Sequence, residues 1–154
     1  MCLFAPDDPL NLVVVYPSRP GGPAAGDDVS CRTGVGNSTF VTVYATRYPG
    51  GRSQDDLMNQ AVTEIIGVWT DVSPLEEQYR VTSPSGHPSP LVYGFVGSMQ
   101  GSRLRSFILV QNIGEWSFKG RASGPVDDPD VSVIGSWTFD MSLPGNWDAR
   151  QMAQ

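Results

Sequence analysis

Strand-like runs at regular spacing are the feature that most limits what this chain can fold into. In the second half of the sequence they occupy residues 91–97, 103–111 and 115–122. Turn signals separate them at intervals of about ten residues. Such short connections favour an antiparallel meander, because a tight turn joins neighbouring strands that run in opposite directions.

The run at residues 74–82 precedes these three and belongs to the same predicted meander. Residues 12–16 are a short apolar run, and residues 29–33 are a short strand-like run. Residues 39–48 are rich in β-branched and aromatic side chains, which favour extended backbone. Together with the meander, these runs predict an antiparallel sheet of about six strands.

A single amphipathic helix is predicted between Ser53 and Gly67. Ser53 is a suitable N-cap, and Asp56 three residues later completes a capping box. Apolar side chains then recur at helical spacing and form one wide face, made of Leu57, Met58, Ala61, Val62, Ile65, Ile66 and Trp69. The predicted fold class is therefore α+β, with one main helix on one face of an antiparallel sheet.

The C-terminal run 126–143 fits two structures. Most of its odd positions from residue 131 onwards are apolar, which favours a strand. Val133, Ile134, Trp137 and Met141 also satisfy a helical stripe. The prediction therefore includes a short C-terminal helix or strand. The predicted organisation is an irregular lead-in at 1–11, a single α+β domain at 12–143 and a flexible tail at 144–154.

Composition argues against several functional classes. A chain of 154 residues is long enough for one domain with a real core. Its net charge is −6, so we expect no nucleic-acid partner, because phosphate binding needs a basic surface. No apolar run approaches the roughly 20 residues that a membrane span needs, so no transmembrane segment is predicted. The sequence shows no secretory signal pattern.

The two cysteines, Cys2 and Cys31, leave three interpretations open. They are two free thiols of a cytosolic protein, or a disulfide that restrains the N-terminal segment in an oxidising compartment. In the third interpretation Cys2 is the lipid-bearing first residue of a lipoprotein. A periplasmic or other extracytoplasmic location is favoured over a cytoplasmic one.

No residue pattern specifies a reaction. His87 is the only histidine and lies in the turn-like segment 83–90, where a solvated side chain is expected. One histidine and two cysteines cannot form a His/Cys metal cluster of ordinary spacing. The acidic doublets Asp55-Asp56 and Asp127-Asp128 are expected to begin helices. We therefore predict no catalytic residue, no metal site and no cofactor.

The order of the predicted elements resembles the PsbP-like (Mog/PsbP) fold superfamily over about residues 12–140. The resemblance rests on the segments VVVYPS (13–18), VTVYATRYPGG (41–51), RLRSFILVQNIGEWSFKGRASGP (103–125) and VIGSWTF (133–139). Within the superfamily, the chain is most similar to bacterial DcrB-type lipoproteins, LpqN-type lipoproteins and Eag-type secretion chaperones. The loop at 17–28, and the lack of Trp after YPS, depart from the commoner pattern.

The resemblance implies a short helix at about 127–135 and a sheet with one face free for binding. It also implies a non-catalytic partner-binding module, an adaptor or chaperone-like protein that serves bacterial secretion or the cell envelope. Its partner would be a protein or peptide, and a homodimer is left open. The alternative is a small-ligand-binding or enzymatic α+β barrel with a cavity between helix and sheet.

Strand alternation assigns side chains to the two faces of the predicted sheet. Trp116, Phe118 and Ala122 are expected to face the helix, on the same side as Ile108. The candidate partner-binding residues on the open face are Arg80, Arg103, Arg105, Phe107, Lys119 and Arg121. They predict a cationic, partly apolar platform for an acidic segment of a partner, and ordinary solvation of charged side chains is the alternative.

Overall fold

The fold is a seven-stranded antiparallel sheet with two helices, in a computed structural model that describes residues 11–18, 20–35, 38–75 and 89–144. The strands are β1 (Leu12–Val15), β2 (Asp28–Val35), β3 (Thr39–Arg47), β4 (Thr70–Pro74), β5 (Leu91–Met99), β6 (Ser102–Ile113) and β7 (Trp116–Pro125). The helices are α1 (Gln54–Ile66) and α2 (Val131–Ser142). The strand order across the sheet is β1-β2-β3-β7-β6-β5-β4.

The predicted α+β class and antiparallel sheet are confirmed, but the details differ. Within the described ranges the sheet has seven strands instead of about six. The strand predicted at 74–82 meets the observed β4 only at Pro74, and residues 76–88 lie outside the described ranges. The lead-in before residue 11 and the tail after residue 144 also lie outside them, so those two assignments stay predictions.

Glycine-containing turns join the strands of the meander. Gln100 and Gly101 connect β5 to β6 with φ angles of 51° and 81°. A two-residue type I′ hairpin turn, whose twist matches that of the flanking strands, requires positive φ angles at both of its residues. Gly114, with φ of 61°, follows β6 and leads into β7. These short connections fix the register of three consecutive strands.

Helix α1 begins where the capping pattern predicts. The Ser53 hydroxyl accepts a hydrogen bond from the Asp56 backbone N–H at 3.4 Å. Met58, Ala61 and Ile65 are the buried stripe of the helix. They contact β5 and β6, and Trp69 just beyond the helix completes this core cluster.

Helix α2 packs on the opposite face of the sheet. In the β6–β7 register Ile108 lies opposite Arg121, and Phe107 lies opposite Ala122. Ile108 belongs to the core cluster under α1, whereas Phe107 and Ala122 belong to the cluster under α2. Successive side chains of a strand point to opposite faces, so the two clusters must lie on the two sides of the sheet.

The prediction that Trp116, Phe118 and Ala122 face α1 is wrong. Phe118 and Ala122 are buried against α2, and Trp116 contacts the same cluster. The prediction treated one face of the sheet as open to solvent. Because a second helix covers β3, β7 and β6, that face also needs apolar side chains.

The C-terminal segment is a helix, and it extends well beyond the predicted 127–135. Strand β7 already pairs with β3 and β6 on its two sides, so no edge beside it is free for another strand. Val131 and Phe139 of α2 are fully buried against the sheet instead. No helix among the described residues is long and apolar enough to cross a membrane.

Candidate functional site

A groove of about 980 Å³, which we call the arginine groove, lies on the α1 side of the sheet. Helix α1 makes its main contacts with β5 and β6, so among the described residues it leaves much of the same side of β1, β2, β3 and β7 uncovered. Side chains from these four strands line the groove, together with residues of the β5–β6 hairpin. The groove therefore exists because the two helices cover different parts of opposite faces.

Arg32, Thr42 and Arg121 form a row across the floor of the groove. Arg32 of β2 lies opposite Thr42 of β3, and Thr42 lies opposite Arg121 of β7. All three side chains must point to the same face, because directly paired residues share a face of the sheet. Phe40 and Tyr44 lie two positions to either side of Thr42 and point the same way.

Two of the three arginines that line the groove, and the neighbouring Lys119, lie over aromatic rings. The guanidinium carbon of Arg32 is 4.7 Å from the centre of the Phe40 ring, and that of Arg121 is 5.3 Å from the centre of Trp69. The Lys119 ammonium is 4.7 Å from the centre of the Tyr44 ring. Stacking of this kind holds a cation in place and leaves the edge of a guanidinium for further hydrogen bonds.

Arg121 is the most constrained of these cations. Burial lowers the pKa of its guanidinium, and the positive charge of Arg32 lowers it further. Its Nε atom is buried and has no hydrogen-bond partner. Within the described residues, no carboxylate lies within 4 Å of either arginine. A buried charge is normally paired, so Arg121 has capacity for an additional anionic partner.

Tyr44 and Tyr16 supply hydroxyl groups beside the arginine row. Burial is the main cause that raises the pKa of Tyr44 above its ordinary value, and the two arginines oppose the shift. The Tyr16 hydroxyl lies 3.2 Å from the Ser30 hydroxyl. These hydroxyl groups can donate or accept hydrogen bonds, so they add polar contacts to the groove.

The groove carries only positive charge among the described residues that line it. Its charged lining side chains are Arg32, Arg103 and Arg121, and no Asp or Glu is among them. The whole chain has 16 acidic and 10 basic residues, so the charge of the groove lining is positive in a protein whose net charge is negative. The groove is therefore suited to an anionic ligand.

The space between α1 and the sheet is small. A cavity of about 100 Å³ there is lined by residues that include Tyr44, Ala61 and Arg121, and a second cavity measures about 40 Å³. The Lys119 ammonium lies 3.6 Å from the Glu64 carboxylate of α1 and bridges the helix to β7. Pockets for small organic ligands usually have volumes of about 300–1,000 Å³, so the arginine groove is the better candidate site.

The predicted partner-binding residues do not share one face. Lys119 and Arg121 point to the α1 side, whereas Arg105 and Phe107 point to the α2 side. Phe107 is only 2% exposed and belongs to the core under α2. The prediction of a common platform is therefore wrong, because β6 and β7 were assigned to faces without their pairing register.

The remaining two predicted partner-binding residues are Arg103 and Arg80. Arg103 is exposed, lies at the rim of the arginine groove and donates a hydrogen bond to the Asp71 carbonyl at 3.2 Å. Arg80 lies outside the described residues, as does His87. The binding role of all these side chains stays a prediction.

Cys31 is buried on β2, on the face opposite the groove. Cys2 lies outside the described residues, so the Cys2–Cys31 pairing stays a prediction. No cluster of three or more His, Cys, Asp or Glu side chains suitable for a metal occurs in the described part of the chain.

The sequence-based prediction missed most of the arginine groove, including Arg32, Phe40, Thr42 and Tyr44. The alternation in β3 contains part of the signal, because Val41 and Val43 separate these polar and aromatic positions. Their convergence with Arg121 depends on the pairing of β3 with both β2 and β7, which the sequence does not specify.

The fold and the groove define a small α+β protein with a groove whose charged lining residues are arginines. No protein-family model and no curated protein sequence matches this chain. A solved structure, that of LpqN involved in cell envelope biogenesis of Mycobacterium tuberculosis, is similar at a TM-score of 0.38 with 12% identity. The similarity covers 88% of this chain and 84% of that one. A score this low supports no conclusion on family or function.

Proposed function

We propose that this protein is a non-catalytic binding module that holds an anionic segment of a partner protein in the arginine groove. The observation that carries the proposal is the charge of the groove, whose charged lining residues are three arginines in a chain of net charge −6. Opposite charge speeds encounter and selects the partner, and guanidinium groups bind carboxylates in a fixed geometry.

A pair of synthetic peptides tests this function. One alternates Glu with Leu, and the other carries Gln in place of every Glu. We expect the Glu peptide to bind in isothermal titration calorimetry, more weakly as salt is raised, and to shift the amide resonances of β2, β3 and β7. Equal binding of the two peptides, or shifts confined to other strands, would contradict the proposal.

Arg32→Glu and Arg52→Glu form a matched pair of variants. Both arginines are exposed and lie over an aromatic ring, Arg32 over Phe40 and Arg52 over Tyr48, but only Arg32 lines the groove. The two substitutions change the net charge equally. We expect Arg32→Glu to weaken binding of the Glu peptide by about tenfold or more and Arg52→Glu to change it little. Equal effects would mean that net charge, not the groove, controls binding.

A small-molecule ligand is the second candidate, since a groove of about 980 Å³ lies at the upper end of the range of ligand pockets. Titration with free dicarboxylates separates the two. Tight binding of a dicarboxylate, with no binding of the Glu peptide, would favour a small-ligand-binding protein over a partner-binding module.

A further inference from the structure

The spacing of the two groove arginines gives information on the ligand. Arg32 and Arg121 lie on strands β2 and β7, which flank β3, and both are level with Thr42. Neighbouring strands lie about 4.8 Å apart, so the two backbone positions are separated by about 10 Å. The groove thus presents two arginines whose backbone positions are fixed by the sheet, with the Thr42 hydroxyl between them.

The two guanidinium groups are held apart. Arg32 lies over Phe40, whereas Arg121 lies over Trp69, which follows α1 and contacts β5. Each ring contact fixes the face of one guanidinium, so its N–H edge is left for a ligand. Two separate stacking partners favour two separate anion contacts over one anion shared by both arginines.

Apolar side chains line the groove on both sides of the arginine row. Leu12 and Val14 of β1 lie on the Arg32 side, and Leu12 pairs directly with Arg32. Met99 and Leu104 of the β5–β6 hairpin lie on the Arg121 side, with Leu104 four positions along β6 from Ile108, the residue that pairs with Arg121. A fatty acid or a phosphate monoester has its charge at one end and its apolar part at the other. A peptide can place apolar side chains on both sides of a charged centre, as this groove requires.

We propose that the occupant is an extended peptide segment of a partner protein with two acidic residues three positions apart and apolar residues outside them. In the polyproline II conformation a chain advances about 3.1 Å per residue and has three residues per turn, so side chains three positions apart point the same way and lie about 9 Å apart. This is close to the separation of about 10 Å between β2 and β7. Arg32 binds one carboxylate, Arg121 binds the other, and Thr42 hydrogen-bonds the peptide between them. This inference rests on the proposed function and names the ligand of that site.

A peptide series tests the spacing. All members have the same composition, with two Glu residues flanked by Leu, and differ only in whether the Glu residues are one, two, three or six positions apart. We expect the affinity measured by calorimetry to be highest at three positions and at least about fivefold lower for adjacent Glu residues. Binding that depends on Arg32 but not on spacing would overturn this inference and leave the proposed function standing.

Double-mutant cycles test the assignment of each carboxylate. Arg32→Gln and Arg121→Gln are each combined with peptides in which the first or the second Glu is replaced by Gln, and Arg52→Gln is the control variant. We expect each groove arginine to couple to a different Glu, with a coupling of about tenfold, and Arg52 to couple to neither. Coupling of both arginines to the same Glu would overturn the two-anion arrangement.

Arg121→Lys keeps the experiment informative if Arg121→Gln does not fold. Lysine retains the charge but cannot make a forked contact, so we expect a partial loss of affinity. Inorganic phosphate, free glutarate and phosphatidylglycerol vesicles are titrated in parallel. Vesicle or small-anion binding that depends on both arginines, together with no binding of any peptide, would overturn the proposal of a peptide occupant.

Discussion

Gly135 of α2 lies against Ala122 of β7 so closely that no side chain fits between them. A Cβ atom at Gly135 would overlap the Ala122 methyl group. A similar approach occurs at Gly120 of β7, where a Cβ atom would lie 2.5 Å from Cδ2 of Phe139. The contact between α2 and the sheet therefore depends on glycine on both sides.

Gly135→Ala is expected to destabilise the protein. The added methyl group forces α2 away from β7, and overpacking of this kind typically costs about 1–3 kcal/mol in the free energy of unfolding. Gly67→Ala is the matched control, because a Cβ atom at this helix end meets only ordinary contacts, 3.4 Å or longer, and φ is −66°. There we expect a gain of about 0.4–1 kcal/mol. Urea denaturation measures both, and an unchanged midpoint for Gly135→Ala would contradict the close contact.

Phe118→Ala and Phe40→Ala compare the two faces of adjacent strands. Phe118 is 4% exposed in the core under α2, whereas Phe40 is 43% exposed in the groove. We expect the first substitution to lower the free energy of unfolding by about 3–5 kcal/mol and the second to lower it far less. Chemical denaturation checks the difference. Similar losses in both variants would mean that Phe40 belongs to the core.

Ser53→Ala removes the N-cap of α1. The Asp56 N–H then loses its acceptor, and we expect a loss of about 0.5–2 kcal/mol in the free energy of unfolding. Ser53→Asp restores an acceptor and serves as the control, with stability close to that of the wild type. Thermal unfolding followed by circular dichroism measures both variants. Equal stability of Ser53→Ala and Ser53→Asp would show that the cap contributes nothing.

Glu115 makes stability depend on pH in the acidic range. A hydrogen bond from the Gly50 N–H, together with contacts from Arg47, lowers the pKa of this carboxyl group below its ordinary value of 4.5. The group therefore binds protons more readily in the unfolded chain, and its contribution to stability is present above about pH 4.5 and is lost as the pH falls through the folded-state pKa. Glu115→Gln should remove this part of the pH dependence, as measured by denaturation at a series of pH values. If the stability of the variant had the same pH dependence as that of the wild type, this role of Glu115 would be contradicted.

Local signals in the sequence were sufficient for the fold class. The capping pattern at Ser53 placed the start of α1, and the β-branched run at 39–48 placed β3. Both depend on interactions between residues close in the chain. The α+β class and the antiparallel pairing follow from such local elements and from short turns.

The presence of α2 on the second face of the sheet could not be predicted from side-chain alternation, because that pattern assumes only one buried face. Residues 106–111 of β6 are all buried, whichever face they point to. The consecutive apolar residues 107–110 were the available signal, because a strand covered on both faces has a continuous apolar run. Interpreting that run as alternating placed Phe107 on an open surface.

The arginine groove depends on pairings between residues far apart in the sequence. Arg32 and Arg121 are brought level only by the registers of β2 with β3 and of β3 with β7. A shift of one residue in either register would send one guanidinium to the opposite face. Strand alternation in β6 and β7 suggested an acidic partner segment, but the location of the groove required the folded sheet.

The position of β1 at the edge of the sheet has a consequence for hydrogen exchange. Among the described residues this strand pairs only with β2, and three of its four residues are exposed, whereas β6 lies between two strands and under both helices. Amides of β1 should therefore exchange with solvent through local opening, while those of β6 should exchange only when the whole domain unfolds. One wall of the groove can thus open while its floor stays intact, and a peptide that contacts Leu12 or Val14 should slow exchange in β1 first.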